Sequence, residues 1–124
     1  MNIVDSSGWI VFFNDEANAG IFAEPIGNIK KLLVPTICVY EIFKFVKQKE
    51  GEVEAIKIAA QLKQGQVLPL TETIALEAAY MSINYKLAMA DSIIYASAKV
   101  ADAIVWTQDK DFEGLPGVKY YAKK

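Results

Sequence analysis

Histidine and arginine are absent from this chain of 124 residues, and cysteine occurs only once. Without histidine the chain cannot form a Ser-His-Asp triad, a Cys-His pair or a histidine-ligated zinc site. Without arginine it lacks the bidentate clamp that often binds phosphates. Any catalysis must therefore use carboxylates, lysines, hydroxyl groups, backbone amides, the single thiol or a bound metal.

Long apolar runs are also absent. The longest nearly apolar stretch covers residues 32–40, is interrupted by Pro35 and is far shorter than the ~18 residues of a membrane-spanning helix. The N-terminus carries Asp5 where a secretory signal would have its apolar run, and the lone Cys38 cannot form an internal disulfide. We therefore expect a cytoplasmic protein that does not insert into membranes.

The composition is that of a folded chain with surplus apolar surface. Hydrophobic residues make up 53% of the sequence, above the ~45–50% typical of soluble domains, which excludes intrinsic disorder. We expect a single domain over residues 1–124, part of whose apolar surface is covered by a partner. This apolar share and the aromatic helical segment 40–46 predict a homodimer, with a separate apolar surface left for an antitoxin.

Short apolar strands alternate with amphipathic helices along the sequence. The pattern predicts strands at residues 3–4, 32–34, 67–70 and 103–106, with a fifth at 118–121, and helices at 9–13, 15–26, 37–50, 53–62, 74–85 and 91–101. Ser6 or Ser7 is expected to cap the first helix and Thr36 the third. This alternation predicts a three-layer α/β/α sandwich with a central, mostly parallel sheet of four to five strands.

Carboxylates occur at the expected carboxyl ends of these strands, where ligands of open α/β sheets bind. Asp5 ends the first strand, and Asp109 follows the fourth. Glu41 lies early in the helix after the second strand, and Asp91 begins an alanine-rich helix. Converging carboxylates repel one another unless a cation neutralises them, and oxygen ligands favour Mg²⁺ or Mn²⁺.

Four segments carry these acids: Ile-Val-Asp5-Ser-Ser, Val-Tyr-Glu41-Ile, Met-Ala-Asp91-Ser-Ile-Ile-Tyr-Ala and Thr107-Gln-Asp109-Lys-Asp111-Phe. In order and spacing they resemble the motifs of PIN-domain ribonucleases, in particular the VapC-like toxins of toxin–antitoxin pairs. The resemblance implies a metal-dependent endoribonuclease that is usually a homodimer and is inhibited by a small antitoxin. It also implies a catalytic and metal-binding quartet of Asp5, Glu41, Asp91 and Asp109. Thr107 would supply a hydroxyl group, and Asp111 and Ser6 would be accessory residues.

Several of these residues also have purely structural interpretations. Asp5 and Asp91 could each cap a helix, and Asp111 could cap the turn before Phe112. Capping does not explain Glu41, because an unpaired acid within an apolar helical stretch is costly.

Lysines provide the candidate RNA contacts, which are Lys44, Lys110 and Lys119. Lys44 could instead pair with Glu41 one helical turn away, and this surface pair is the favoured interpretation. Lys119 belongs to a basic C-terminal tail with neighbouring tyrosines. This tail could contact single-stranded RNA by charge and stacking, although a solvated terminus is the simpler interpretation.

Two other functions fit parts of the pattern. A phosphatase could use Asp5 as its nucleophile, but such enzymes usually carry a second acid two residues later, where this chain has Ser7. A non-catalytic module could keep the metal pocket and bind RNA without cleaving it. The acids at all four motif positions favour the endoribonuclease.

Overall fold

The computed structural model describes all residues 1–124 and is built on one sheet of five strands, all parallel. The strands are β1 (Asn2–Val4), β2 (Leu32–Pro35), β3 (Gln66–Leu68), β4 (Ile104–Thr107) and β5 (Val118–Tyr120). Their order is β3-β2-β1-β4-β5, which places β1 at the centre and β3 at an edge. The expected sheet is confirmed, with all of its strands parallel.

Six helices flank the sheet in a three-layer α/β/α sandwich, as predicted. They are α1 (Ser6–Phe13), α2 (Ala19–Gly27), α3 (Thr36–Glu50), α4 (Glu52–Leu62), α5 (Glu72–Tyr85) and α6 (Met89–Ala101). Neighbouring helices pack in pairs, α1 with α2, α3 with α4 and α5 with α6. None of them has both the length and the apolar character required to cross a membrane.

The core lies between the sheet and its helices. Its largest fully buried side chains are Trp9, Phe22 and Phe112. Cys38 is also fully buried, and this burial raises the pKa of its thiol. Cys38 is therefore a small apolar core residue.

The starts of α1, α3 and α6 are among those that differ from the sequence predictions. Asp5 caps α1 by accepting a hydrogen bond from the Gly8 N–H, whereas the hydroxyl groups of Ser6 and Ser7 bind carboxylates instead. Pro35 occupies the N-cap position of α3, so Thr36 is its first residue and not its cap. The last helix, α6, begins at Met89.

The second helix, α2, is shorter than predicted at its N-terminus. It begins at Ala19 and not at residue 15, because the chain first turns through Asp15, whose φ is 51°. Asn18 is then buried, and its amide group donates hydrogen bonds to the Gln108 side chain and to the Ala122 carbonyl. These distant contacts fix the turn, and sequence periodicity does not reveal them.

Gly8 allows α1 to lie close to β1 and α2. A Cβ atom at this position would be 2.7 Å from Val4 Cγ1 and 2.9 Å from the Phe22 ring, and both of these side chains are fully buried. We expect Gly8→Ala to lower the free energy of unfolding by about 1–3 kcal/mol, the usual cost of overpacking, as measured by urea denaturation.

Gly20 in α2 provides the matched control for Gly8. A Cβ atom there would meet no heavy atom within 4 Å, so Gly20→Ala should leave stability unchanged or raise it by up to about 1 kcal/mol through helix propensity. Equal effects of the two substitutions would contradict the proposed close packing.

Candidate metal centre

The carboxyl ends of the two central strands β1 and β4 are joined through their side chains. Asp5 follows β1 and is 2% exposed, and Thr107 ends β4 and is fully buried. The Thr107 hydroxyl donates a hydrogen bond of 2.7 Å to Asp5 Oδ2 and accepts one of 2.9 Å from the Asp109 N–H. Thr107 therefore fixes Asp5 and the loop after β4 relative to each other.

The Asp5 carboxylate is buried but retains room for one more ligand. Its oxygens accept hydrogen bonds from the Gly8 N–H, the Thr107 hydroxyl and the Ser7 hydroxyl, which lies 2.9 Å from both oxygens. A hydroxyl group donates only one hydrogen, so three donors serve a group with about four acceptor sites. Burial, opposed by these hydrogen bonds, raises the pKa of Asp5 to about 6, and the nearby charge of Asp109 adds to the increase.

Glu41 extends toward the same edge from α3. It is half-buried, and its Oε1 atom accepts a hydrogen bond of 2.7 Å from the Ser6 hydroxyl. The expected pairing of Glu41 with Lys44 is absent, because the Lys44 ammonium lies over the Tyr40 ring, 5.8 Å from its centroid. Glu41 is thus oriented by a hydroxyl group and not by a cation.

The closest approach of acids involves α6 and the loop after β4. Three carboxylate oxygens lie within 4.8 Å of one another, one each from Asp91, Asp109 and Asp111. Asp91 is the third residue of α6, whose N-cap position is occupied by Ala88, so Asp91 is not a helix cap. Asp111 does not cap its turn either, because Asp109 Oδ1 accepts the hydrogen bond from the Asp111 N–H.

Electrostatics connect this group to the two remaining acids. The pKa of Asp91 is raised to about 7, first by burial and then by the negative charges of Asp109, Asp5, Glu41 and Asp111. None of the three ion pairs in the structure involves any of these acids. Their charges are therefore uncompensated by protein cations.

The donor set fits a hard divalent cation. It consists entirely of carboxylate oxygens, the ligands preferred by Mg²⁺ and Mn²⁺, and it contains no histidine or thiolate that would favour zinc. The mutual repulsion of these groups would be relieved by the same ion.

Two polar residues near this site were not singled out from the sequence as functional. Ser7 holds the Asp5 carboxylate, and Asn18 connects Gln108 with the C-terminal segment. A serine two positions after a candidate acid is a weak signal, and the Asn18 contacts span 90 and 104 residues of sequence. Neither role could be inferred without the fold.

The fold is thus a parallel α/β/α sandwich, and its acids lie together at the carboxyl edge of the central strands. This arrangement is suited to bind a divalent cation at that edge. Residues 3–118 match the model of the PIN domain family. The chain belongs to this family, and the resemblance identified from its motifs is confirmed.

Solved structures of toxin–antitoxin proteins share the fold. A toxin–antitoxin complex from Klebsiella pneumoniae is similar with a TM-score of 0.83 and 23% identity, covering 98% of this chain and 99% of that one. A VapC toxin from Mycobacterium tuberculosis that cleaves the sarcin-ricin loop is similar with a TM-score of 0.77 and 15% identity, covering 95% of this chain and 97% of that one. A DNA-bound VapBC complex from Salmonella typhimurium is similar with a TM-score of 0.76 and 13% identity, covering 98% of this chain and 96% of that one. No curated protein matches the chain in sequence.

Proposed function

We propose that this protein is a metal-dependent endoribonuclease and the toxin of a toxin–antitoxin pair. The observation that carries the proposal is the convergence of Asp91, Asp109 and Asp111 within 4.8 Å beside the buried Asp5, in a chain of the PIN family. Toxin–antitoxin proteins with the same fold support the biological role.

The acids of the site have two proposed roles, direct metal binding and completion of the negative charge around the metal. Asp5, Asp91 and Asp109 would hold Mg²⁺ or Mn²⁺, with Glu41 and Asp111 completing the negative site. Such an ion, when bound, activates water as a nucleophile and stabilises the charge that develops on a phosphodiester.

The hydroxyl groups around the site keep the acids in place. Thr107 and Ser7 orient Asp5, and Ser6 orients Glu41. Both carboxylates are therefore positioned before a metal ion binds.

The geometry disfavours a phosphatase with Asp5 as nucleophile. Asp5 is 2% exposed, and three donors already bind its two oxygens. An in-line attack on phosphorus by this carboxylate would require it to give up these bonds and move toward the solvent.

Incubation of the purified protein with a mixed RNA pool tests the proposed reaction. With Mg²⁺ or Mn²⁺ we expect internal cuts whose ends can be mapped, and with EDTA we expect intact RNA. RNA that is bound but remains intact with every metal would instead indicate a non-catalytic binding module.

The proposed partners are a small antitoxin and a second copy of the chain, in the cytoplasm that the unpaired Cys38 favours. The aromatic segment 40–46 indicated surplus apolar surface in the sequence, but Ile42 and Val46 in this segment are buried. The largest exposed apolar side chains at helical spacing lie on α5 instead, where Leu76, Tyr80 and Ile83 are 59%, 66% and 76% exposed. We propose that this face of α5 forms the homodimer.

Replacing Ile83 by Lys should dissociate the dimer, because the charge would be buried in an apolar interface. Sedimentation velocity at micromolar concentration should show a dimer for the wild type and a monomer for Ile83→Lys. Val53→Lys on α4 is the matched control, since Val53 is 68% exposed and lies outside the proposed face. A monomeric wild type would contradict the dimer without affecting the catalytic proposal.

A further inference from the structure

A groove of about 530 Å³ adjoins the acidic site on the side of the C-terminal segment. Ser7 and Asp109 contribute to its wall from the acidic site, and Lys110 follows Asp109 directly. Tyr120 and Lys123 line it from the end of the chain. The groove thus combines an acidic residue of the candidate metal centre with basic and aromatic side chains.

The C-terminal segment beside this groove is anchored to the fold. The Tyr121 N–H donates a hydrogen bond of 2.9 Å to the Thr107 carbonyl, and the Asn18 side chain donates one of 3.0 Å to the Ala122 carbonyl. The Tyr121 ring also stacks on Trp106 at a centroid distance of 6.0 Å. The segment is therefore anchored through Ala122, although its lysines are exposed, as expected for a solvated terminus. Lys123 directly follows the anchored Ala122.

Strand register places Tyr120 on the same face of the sheet as Thr107, because these two residues are paired between β4 and β5. Thr107 reaches Asp5 from this face. Lys119 points to the opposite face, as successive residues of a strand do. Its ammonium lies over the Trp106 ring, 4.4 Å from the centroid. Of the two neighbouring residues, only Tyr120 lines the groove.

The two lysines of the groove are free to bind a ligand. None of the three ion pairs in the structure involves Lys110 or Lys123. An ammonium group recognises a phosphate, and a tyrosine ring that lines a groove can stack on a nucleobase with little sequence preference. A ligand that extends from a divalent cation into this groove therefore needs an anionic backbone and an unpaired base.

We propose that the groove binds the nucleotide next to the scissile phosphodiester of single-stranded RNA. Lys110 and Lys123 contact its phosphate, and Tyr120 stacks on its base. This assignment rests on the proposed nuclease function and makes these three residues the substrate-positioning residues of that site.

RNA binding can be measured without cleavage in an Asp5→Asn background with Mg²⁺, by fluorescence anisotropy of a fluorescein-labelled 12-nucleotide single strand of mixed sequence. Lys110→Ala and Lys123→Ala should each weaken binding and lower the slope of log Kd against log salt by about 0.7. Lys31→Ala is the matched control, because Lys31 is exposed and precedes β2 at the opposite edge of the sheet. It should leave the slope unchanged.

Stacking on Tyr120 has its own readout. Tyr120→Ala should raise Kd about five-fold or more, whereas Tyr120→Phe should retain binding because the ring remains. A strand that contains 2-aminopurine should show fluorescence quenching with the background protein and with Tyr120→Phe, and recovery of fluorescence with Tyr120→Ala.

Failure of this assignment is distinguishable from failure of the proposed function. If the wild type cleaves RNA but both lysine variants match Lys31→Ala in Kd and salt slope, the groove assignment is overturned and the nuclease proposal stands. If the wild type cleaves no RNA and the Asp5→Asn protein binds none, the nuclease proposal fails and the groove assignment fails with it. Lys123 is exposed, so its variant does not depend on core packing.

Discussion

Replacing Asp5 by Asn is expected to reduce metal-dependent RNA cleavage at least about 100-fold. Loss of a residue that only orients a metal ligand typically costs 10–100-fold, and Asp5 is proposed to be a ligand itself. Asn keeps the shape of the side chain and can still cap α1, so the substitution mainly removes the charge. Initial rates with a labelled RNA at saturating Mg²⁺ measure the effect.

Asp102→Asn is the matched control for this substitution. Asp102 lies at the opposite end of α6 from Asp91, is exposed and has a φ of 54°, a conformation that Asn also tolerates. Its variant should cleave RNA at the wild-type rate. Equal activity of Asp5→Asn and Asp102→Asn would exclude Asp5 from the active site.

The same substitution should have a large effect in cells if the protein is a toxin. Expression of the wild type without an antitoxin is expected to slow growth, and Asp5→Asn or Asp91→Asn should relieve this inhibition at matched protein levels. Equal toxicity of the wild type and both variants would contradict a toxin that acts through RNA cleavage.

Much of the fold follows from local sequence signals. Strands β1, β2 and β4 are short apolar runs that end before Asp5, at Pro35 and at Thr107, and α3 ends at Glu50 as predicted, with Gly51 at its C-cap. Parallel strands require helical crossovers, so the alternation of elements also determines the three layers. The acids at the carboxyl edge could be predicted because this topology brings the ends of distant strands together.

The features that could not be predicted depend on contacts between distant residues. The turn that delays the start of α2 is fixed by Asn18, whose side chain binds Gln108 and Ala122, and no local pattern encodes these partners. The separation of Tyr120 from Lys119 depends on the register between β4 and β5. A shift by one residue would exchange their faces, so the sequence could not distinguish the groove lysines from Lys119.

Net charge is compatible with RNA binding once the acidic site is considered separately. The chain has a formal charge of -2, with 13 lysines against 15 acids. Five of these acids belong to the candidate site, where a bound cation would offset part of their charge. RNA binding should still weaken as salt increases, because few lysines are available for phosphates.

The metal response of Asp91→Asn tests whether the acids act as one site. For the wild type, Mn²⁺ at 100 times its Kd should stabilise the folded state by about 2.7 kcal/mol, roughly a 10 °C increase in Tm for a domain of this size. Asp91→Asn should reduce this increase to less than half, because one anionic ligand is lost. Asp102→Asn should retain the full increase.

Without metal, the same variant should be as heat-stable as the wild type or more stable. The pKa of Asp91 is raised from 3.8 to about 7 and that of Asp5 from 3.8 to about 6. These two carboxylates therefore bind protons more tightly in the folded state than in the unfolded state. The contribution of these two groups to stability in EDTA should therefore be fully present below their unfolded pKa of 3.8 and should be lost as pH rises through about 6–7. Asp91→Asn should make this pH dependence shallower, since it removes the group with the higher pKa.

The Mn²⁺ response and the pH dependence can be measured together by melting curves at pH 5 and pH 8, each with EDTA or Mn²⁺. The proteins compared are the wild type, Asp91→Asn and Asp102→Asn. A residue that only supported α6 would change Tm equally under all four conditions, because helix stability depends on neither the cation nor the charges of the other acids. An unchanged Mn²⁺ response together with an unchanged pH dependence in Asp91→Asn would remove Asp91 from the proposed metal site. If Asp91→Asn weakens both the Mn²⁺ response and the pH dependence of Tm while Asp102→Asn changes neither, Asp91 interacts electrostatically with the bound cation and with the remaining acids.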